Sequence, residues 1–202
     1  MKKITYGSFA EYILKKDKSK MRFVRSFKER KAYSVEKDFY KPLRDCILKI
    51  CKQNKSIDEL DNMHNKLSDA KKKVCYAPTI NGFKDFLQGR KYKWVNPERV
   101  ILNYSDLDVI VNPELGLEIG NTLYFIKLHL NKERIPKEKV DLLMKIMQDS
   151  YKNSNKNIMV AVLDVRNGIF YTANIKSELK IPYKLEIEAQ KWIETWNDLE
   201  NT

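Results

Sequence analysis

The spacing of apolar residues divides the chain into a helical first half and a strand-rich second half. In residues 37–52, KDFYKPLRDCILKICK, Tyr40, Leu43, Ile47, Ile50 and Cys51 fall on one apolar stripe of a helix. Pro42 lies in its first turn, where a missing N–H costs little. Ser56 and Glu59 stand in the capping-box relation and predict a helix through Leu60, Met63 and Leu67. A third helix carries Phe83, Phe86 and Leu87, with Gly89 as its C′ residue. Further upstream, Ser8 with Glu11 predicts a cap for the short helix FAEYILKK.

The period changes after residue 98. Val100–Tyr104, Leu107–Asn112, Leu115–Ile119 and Thr122–Leu130 are short runs with strand character. Lys137–Tyr151 returns to helical spacing, with Val140, Leu143, Met144, Met147 and Tyr151 on one face. Asn157–Asp164 is apolar almost throughout, as a strand buried on both faces should be. Gly168–Ala173 pairs with it through a turn at Arg166-Asn167. Leu185–Leu199 closes the chain as a helix with Ala189, Trp192, Ile193, Trp196 and Leu199 inward.

This order predicts an α/β (α+β) fold. Its parts are a mixed central sheet with a three-strand antiparallel meander, a crossover helix with buried strands, and an N-terminal helical layer. No Gly/Pro/Ser-rich linker interrupts the chain, which has 6 Gly and 6 Pro in 202 residues. Residues 37–202 read as one compact domain, made of a helical layer (37–90) and a sheet core with helices (91–202). Residues 1–36 read as a basic N-terminal helical arm.

Charge sharpens the picture of the arm. The chain carries a net charge of +12, and residues 1–34 alone hold eleven Lys or Arg against three acidic residues. Such a concentration suits a polyanion, because each phosphate neutralised releases counterions. Lys15, Lys16, Lys18, Lys20, Arg22, Arg25, Lys28, Arg30 and Lys31 are the candidate nucleic-acid contacts. Phe23 and Phe27, interleaved among them, either stack on bases or dock an amphipathic helix on the core. Lys- and Asn-rich composition is the competing explanation of the charge. No apolar run approaches the roughly 18 residues of a membrane helix, and no signal peptide is evident, so the expected location is the cytosol. The thiols of Cys46, Cys51 and Cys75 are expected to be reduced and partly buried.

The candidate chemistry lies in VNPELGLEIGNTLYFIKLHL, Val111 to Leu130. Gly120-Asn121 is a two-residue hairpin loop with Gly where a type II′ turn requires it. That register sets Glu114 opposite Lys127 and Glu118 opposite Leu123. One face then collects Glu114, Glu118, Phe125, Lys127 and His129, and the other is uniformly apolar. Pro113 cannot donate to a ladder. It marks either a bend or bulge in one long strand from Leu107 to Ile119 that re-aims Glu114, or the end of one strand and the start of the next. Glu114 and Lys127 read as an ordinary cross-strand ion pair or as part of a site. His129 reads as an acid/base group, a metal ligand or a simple hydrogen-bonding side chain. Asp106 and Asp108 read as turn and strand-start residues, and His64 as a surface residue. There is no Gly-rich phosphate loop, HExxH, GxSxG or Cys/His metal spacing.

The order helix, three-strand meander, helix, strand resembles the PD-(D/E)XK phosphodiesterases, the restriction endonuclease-like fold. A carboxylate on the second strand and a lysine on the third add to the likeness, which covers roughly residues 98–175. It implies that Glu114 or Glu118 is the first acid, that Lys127 is the lysine that orients water, and that Glu114 and Glu118 hold Mg²⁺. Phe125 stands where the family carries its second acid, so the motif is incomplete. NPELGLEI followed by a turn and IKLHL, after an upstream YKPLRD, is also similar to a group of uncharacterised bacterial proteins.

Three functions remain. The first is a nucleic-acid-binding protein on a PD-(D/E)XK-like scaffold with a degenerate nuclease site. The second is an active Mg²⁺-dependent nuclease using Glu114, Glu118 and Lys127. The third is a protein-binding regulatory factor, for instance of a mobile element.

Overall fold

A computed structural model describes residues 1–29 and 38–200. Two mixed sheets organise these residues. The smaller has the order β1-β4-β3, from β1 (Lys2–Thr5), β3 (Val100–Tyr104) and β4 (Leu107–Val111). The larger has the order β2-β5-β6-β7-β8, from β2 (Tyr92–Trp94), β5 (Leu115–Ile119), β6 (Thr122–His129), β7 (Ile158–Asp164) and β8 (Ile169–Asn174). The helices among the described residues are α1 (Tyr6–Ile13), α2 (Asp17–Lys28), α3 (Lys41–Gln53), α4 (Glu59–Asn65), α5 (Ala70–Leu87), α6 (Lys137–Tyr151) and α7 (Leu185–Asp198).

The α/β class is as expected, but the single central sheet is not. The meander is divided between two sheets. β3 and β4 pair antiparallel in one, β5 and β6 pair antiparallel in the other, and the break falls at Asn112-Pro113. Pro113 therefore ends one strand and precedes the next rather than bending one long strand. Hydrogen bonding resumes at once, since the Glu114 N–H donates to the Ile126 carbonyl at 3.0 Å.

The larger sheet is covered on both faces. Phe125, Val160 and Val162 pack with α1, α6 and α7. Leu115, Leu117, Ile126, Leu128, Ala161 and Leu163 pack with α3, α4 and α5. β7 contributes to both clusters, which explains its nearly unbroken apolar run. β7 lies parallel to β6, with α6 as the connection between them. The thiols of Cys46, Cys51 and Cys75 are free, and burial pushes that of Cys51 up to about 12.

The first 29 residues depart most from expectation. Residues 2–5 form β1, which runs parallel to β4 from the Lys2–Leu107 pair to the Thr5–Ile110 pair. Helix α1 begins one turn earlier than the Ser8 cap implies. Thr5 is its N-cap and accepts from the Ser8 N–H at 3.3 Å. Ser56 does not form the expected capping box either. Its hydroxyl bonds to Asp58, and α4 starts at Glu59 with Asp58 as an N-cap that makes no side-chain bond. Gly89, with φ +71°, does occupy the C′ position of α5.

Two glycines are close-packing positions. A Cβ at Gly116 would lie 2.0 Å from the Val95 carbonyl oxygen, and one at Gly82 would lie 2.0 Å from that of Val165. In both cases backbone, not a pliable side chain, is in the way. Gly116→Ala and Gly82→Ala are each expected to cost about 2–3 kcal/mol, the upper part of the range for overpacking. Urea unfolding should show this as a lower midpoint with an unchanged slope, whereas Gly89→Asn, at an open αL position, should move the midpoint little.

Candidate functional site

The hairpin register matches expectation. Ile119 pairs with Thr122, Glu118 with Leu123 and Leu115 with Ile126. Gly120 has φ +61°, as the first central residue of a type II′ turn should. One step beyond the last pair, Glu114 and Lys127 meet as an ion pair, with side chains 16% and 24% exposed. Glu114 is satisfied on both oxygens. Lys127 Nζ donates to Oε1, and the Leu128 N–H donates to Oε2 at 3.0 Å.

The second bond follows from the break at Pro113. In a continued antiparallel ladder, the Leu128 N–H would be answered by a backbone carbonyl of the strand ahead of Glu114. The chain has turned away there, and the Glu114 carboxylate accepts the bond instead. Lys127 is framed from the other side by α1. Its Nζ lies 5.4 Å from the Tyr6 ring centroid, and its Cε lies 4.0 Å from where a Gly7 Cβ would stand. The Tyr6 hydroxyl is buried and has no hydrogen-bond partner among the described residues. Burial raises its pKa well above the ordinary tyrosine value, and the charge of Glu114 adds to that rise.

The pair sits in a cleft of about 290 Å³. Gly7, Ser8 and Glu11 of α1 form one wall, and Lys139 and Leu143 of α6 another. Asp38, Tyr40 and Arg44 close a third side, and β6 supplies Lys127 and His129. Most of the charges in the cleft are mutually engaged. Arg44 donates to Asp38 at 2.6 Å, and Glu11 lies 3.5 Å from Lys15. Lys139 has no ion-pair partner among the described residues. Its pKa is lowered, chiefly by burial; nearby Lys127 and Lys15 push the same way, and Glu11 opposes them. His129 lines the cleft, and its Nε2–H donates to the Glu133 carbonyl at 2.8 Å.

The remaining expected site residues lie elsewhere. Glu118 is on the expected face but does not line the cleft. It stands four residues from Glu114, about 13 Å along the strand at roughly 3.3 Å per residue. Mg²⁺–oxygen bonds are about 2.1 Å, so Glu114 and Glu118 as a pair do not fit one shared ion. Among the described residues, no three His, Cys, Asp or Glu side chains converge in a metal-holding group. Phe125 is 1% exposed and packs edge-on to Tyr151 at 4.9 Å, away from the cleft. Asp106 pairs with Lys2 at 2.5 Å, and Asp108 accepts from Asn103 at 3.1 Å. His64 is half-buried and bonds to the Lys73 carbonyl at 2.9 Å.

The basic arm is docked against the body. Phe23 and Phe27 pack edge-on to Trp192 at 6.1 and 5.2 Å, and Tyr12 does so at 4.9 Å. The docking alternative for the two phenylalanines is therefore the one realised. Lys20 is buried and held by Glu188 of α7 at 2.6 Å, which takes it off the list of phosphate contacts. Lys28 reaches Glu200 at 3.8 Å and lies over the Trp196 ring, and Lys15 turns to Glu11. Lys16, Lys18, Arg22 and Arg25 are exposed, with no ion-pair partner among the described residues. Arg30 and Lys31 lie outside the described residues.

Sequence reasoning named Glu114, Lys127 and His129 but missed Lys139, Glu11 and Ser8 as neighbours in the cleft. Glu11 and Ser8 were read only as a helix cap, and Lys139 carried no motif at all. Register gives strand neighbours, but it does not say which helices cover them.

The Glu114–Lys127 pair should behave as a closed, partly buried contact. A double-mutant cycle of Glu114→Gln and Lys127→Met is expected to give a coupling energy of about 1–3 kcal/mol in urea unfolding. A coupling near zero would mean that the two side chains are held apart in solution.

A scan against protein-family models and a search of curated proteins both find no match to this chain.

Proposed function

We propose that the protein binds nucleic acid through phosphate contacts, on a frame resembling the PD-(D/E)XK phosphodiesterases in which Glu114 and Lys127 hold each other instead of water and metal. The observation that carries this reading is the outer face of α2. Lys18, Arg22 and Arg25 follow one another at i, i+4 and i+7, so they share one side of the helix. All three are exposed, while Phe23 and Val24 and the paired Lys20 anchor the opposite side. Docking removes the freedom that a loose arm would lose on binding, so a charged face is presented at little entropic cost. The run β5, β6, α6, β7 within one sheet, with β7 parallel to β6, supports the likeness of frame.

Binding should weaken steeply with salt. Against duplex DNA, the combined Lys18→Gln, Arg22→Gln and Arg25→Gln variant should flatten the slope of log K against log salt by about 2–3, near 0.9 for each lost phosphate contact. Lys20→Met is the internal control. It leaves Glu188 buried without its main partner and should lower stability by about 3 kcal/mol with the slope unchanged. Affinity independent of salt would overturn the reading and favour a protein partner. Cleavage of the DNA on adding Mg²⁺, lost in Lys127→Ala, would replace binding by hydrolysis.

A further inference from the structure

Resting on that reading, we infer that the cleft between α1 and α6 receives a terminal phosphate, a phosphomonoester at the end of a nucleic-acid strand, with Lys139 as its counter-charge. The first argument is charge. Glu114 is matched by Lys127, Asp38 by Arg44 and Glu11 by Lys15. Lys139 is the cation in the cleft left without such a match among the described residues. A half-buried ammonium is stabilised by an anion it can touch; burial lowers the pKa of Lys139 most, the Glu11 carboxylate opposes that without forming an ion pair, and Lys127 and Lys15 add to the lowering. An arriving anion would give Lys139 the partner that Lys127 and Lys15 already have.

The second argument concerns donors. The Ser8 hydroxyl lines the cleft beside Lys139, and so does Gly7, in the first turn of α1. The Ser8 N–H of that turn is taken by Thr5, whereas the Gly7 N–H has no intrahelical acceptor, and no acidic residue stands in the turn to occupy it. Gly7 has no side chain to screen its backbone from the cleft. Ammonium, hydroxyl and amide donors around one space suit three acceptor oxygens on one phosphorus.

The third argument is size. At about 290 Å³ the cleft is at the lower end of small-ligand pockets. An internal phosphodiester brings a nucleotide on each side, whereas an end group brings one. A phosphomonoester also carries about −1.5 to −2 charges at neutral pH, against −1 for a diester, and so gains more from an unmatched ammonium.

The test compares one oligonucleotide with a 5′-phosphate, with a 3′-phosphate and with hydroxyl ends, bound to the full-length protein and to Lys139→Gln. One phosphorylated end should bind about 5- to 20-fold more tightly than the hydroxyl-ended strand. That preference should vanish in Lys139→Gln while the affinity for the hydroxyl-ended strand is kept. A Lys139→Arg variant, which keeps the charge, should retain most of the preference and confirms that the change is not one of folding. Equal binding of all three oligonucleotides by the wild-type chain, or a preference that survives Lys139→Gln, overturns the inference and leaves nucleic-acid binding standing. No binding of any of them overturns both.

Discussion

Pro113 has no N–H to give to a ladder, and around it the chain leaves one sheet at Val111 and joins the other at Leu115. Most of what is distinctive at the cleft follows from that step. Two sheets exist where one continuous meander would have made one. The end of β6 runs on past its antiparallel partner, and its Leu128 N–H would face no backbone acceptor there. Leaving a largely buried N–H unpaired costs on the order of 1–3 kcal/mol, and the Glu114 carboxylate removes that cost. The same carboxylate is then pinned where Lys127 can reach it. Its first role is therefore architectural, and any chemistry at the cleft has to work around a carboxylate with both oxygens engaged.

A second constraint fixes the N-terminal segment. β1 lies beside β4 and α1 starts immediately after it, so the wall of the cleft is held by a strand pairing rather than by side chains alone. Tyr12, Phe23 and Phe27 then converge on Trp192, with the Lys20–Glu188 pair sealing the edge. Each aromatic ring of this kind buries on the order of 150–250 Å², which is ample to hold two short helices against α7. The positive charge of the segment is sorted as a result. Lys20 and Lys28 are turned to carboxylates of the body and Lys15 to Glu11 within the segment, while Lys16, Lys18, Arg22 and Arg25 face outward.

Strong local patterns were legible in the sequence, and contacts across long separations were not. The helix Lys137–Tyr151 and the doubly buried strand at 158–164 follow from periodicity alone, because each carries its own unambiguous repeat. The hairpin register followed from one Gly-Asn turn, which is why Glu114 and Lys127 could be paired in advance. β1 was out of reach. KKIT is four residues long, two of them lysines, and its partner strand lies more than a hundred residues away. The sum of basic residues near the N-terminus was visible, but its division into paired and exposed groups depends on α7, at the other end of the chain. Glu118 shows the limit in miniature: the face was right, yet facing the same way is not the same as meeting.

Phe125 bears on why the frame can hold an ion pair there rather than a paired set of acids. Its ring is 1% exposed, in the cluster shared by α1, α6 and α7, and Tyr151 packs edge-on against it. A carboxylate at that position would enter a site where the nearest cation and the Tyr151 hydroxyl are already engaged. The Tyr151 hydroxyl donates to the Glu98 carbonyl at 2.5 Å, and Lys127 is held by Glu114. An ionised group placed there without a partner would cost several kcal/mol or stay protonated. To become a second acid, position 125 would need the Tyr151 contact remodelled and Lys127 released together. A single substitution does neither, so the packing of α6 on β6 stabilises the closed Glu114–Lys127 pair from behind. Within the cleft that arrangement leaves half-buried Lys139 as the cation with no ion-pair partner among the described residues, and this is the physical reason to look for an anion there.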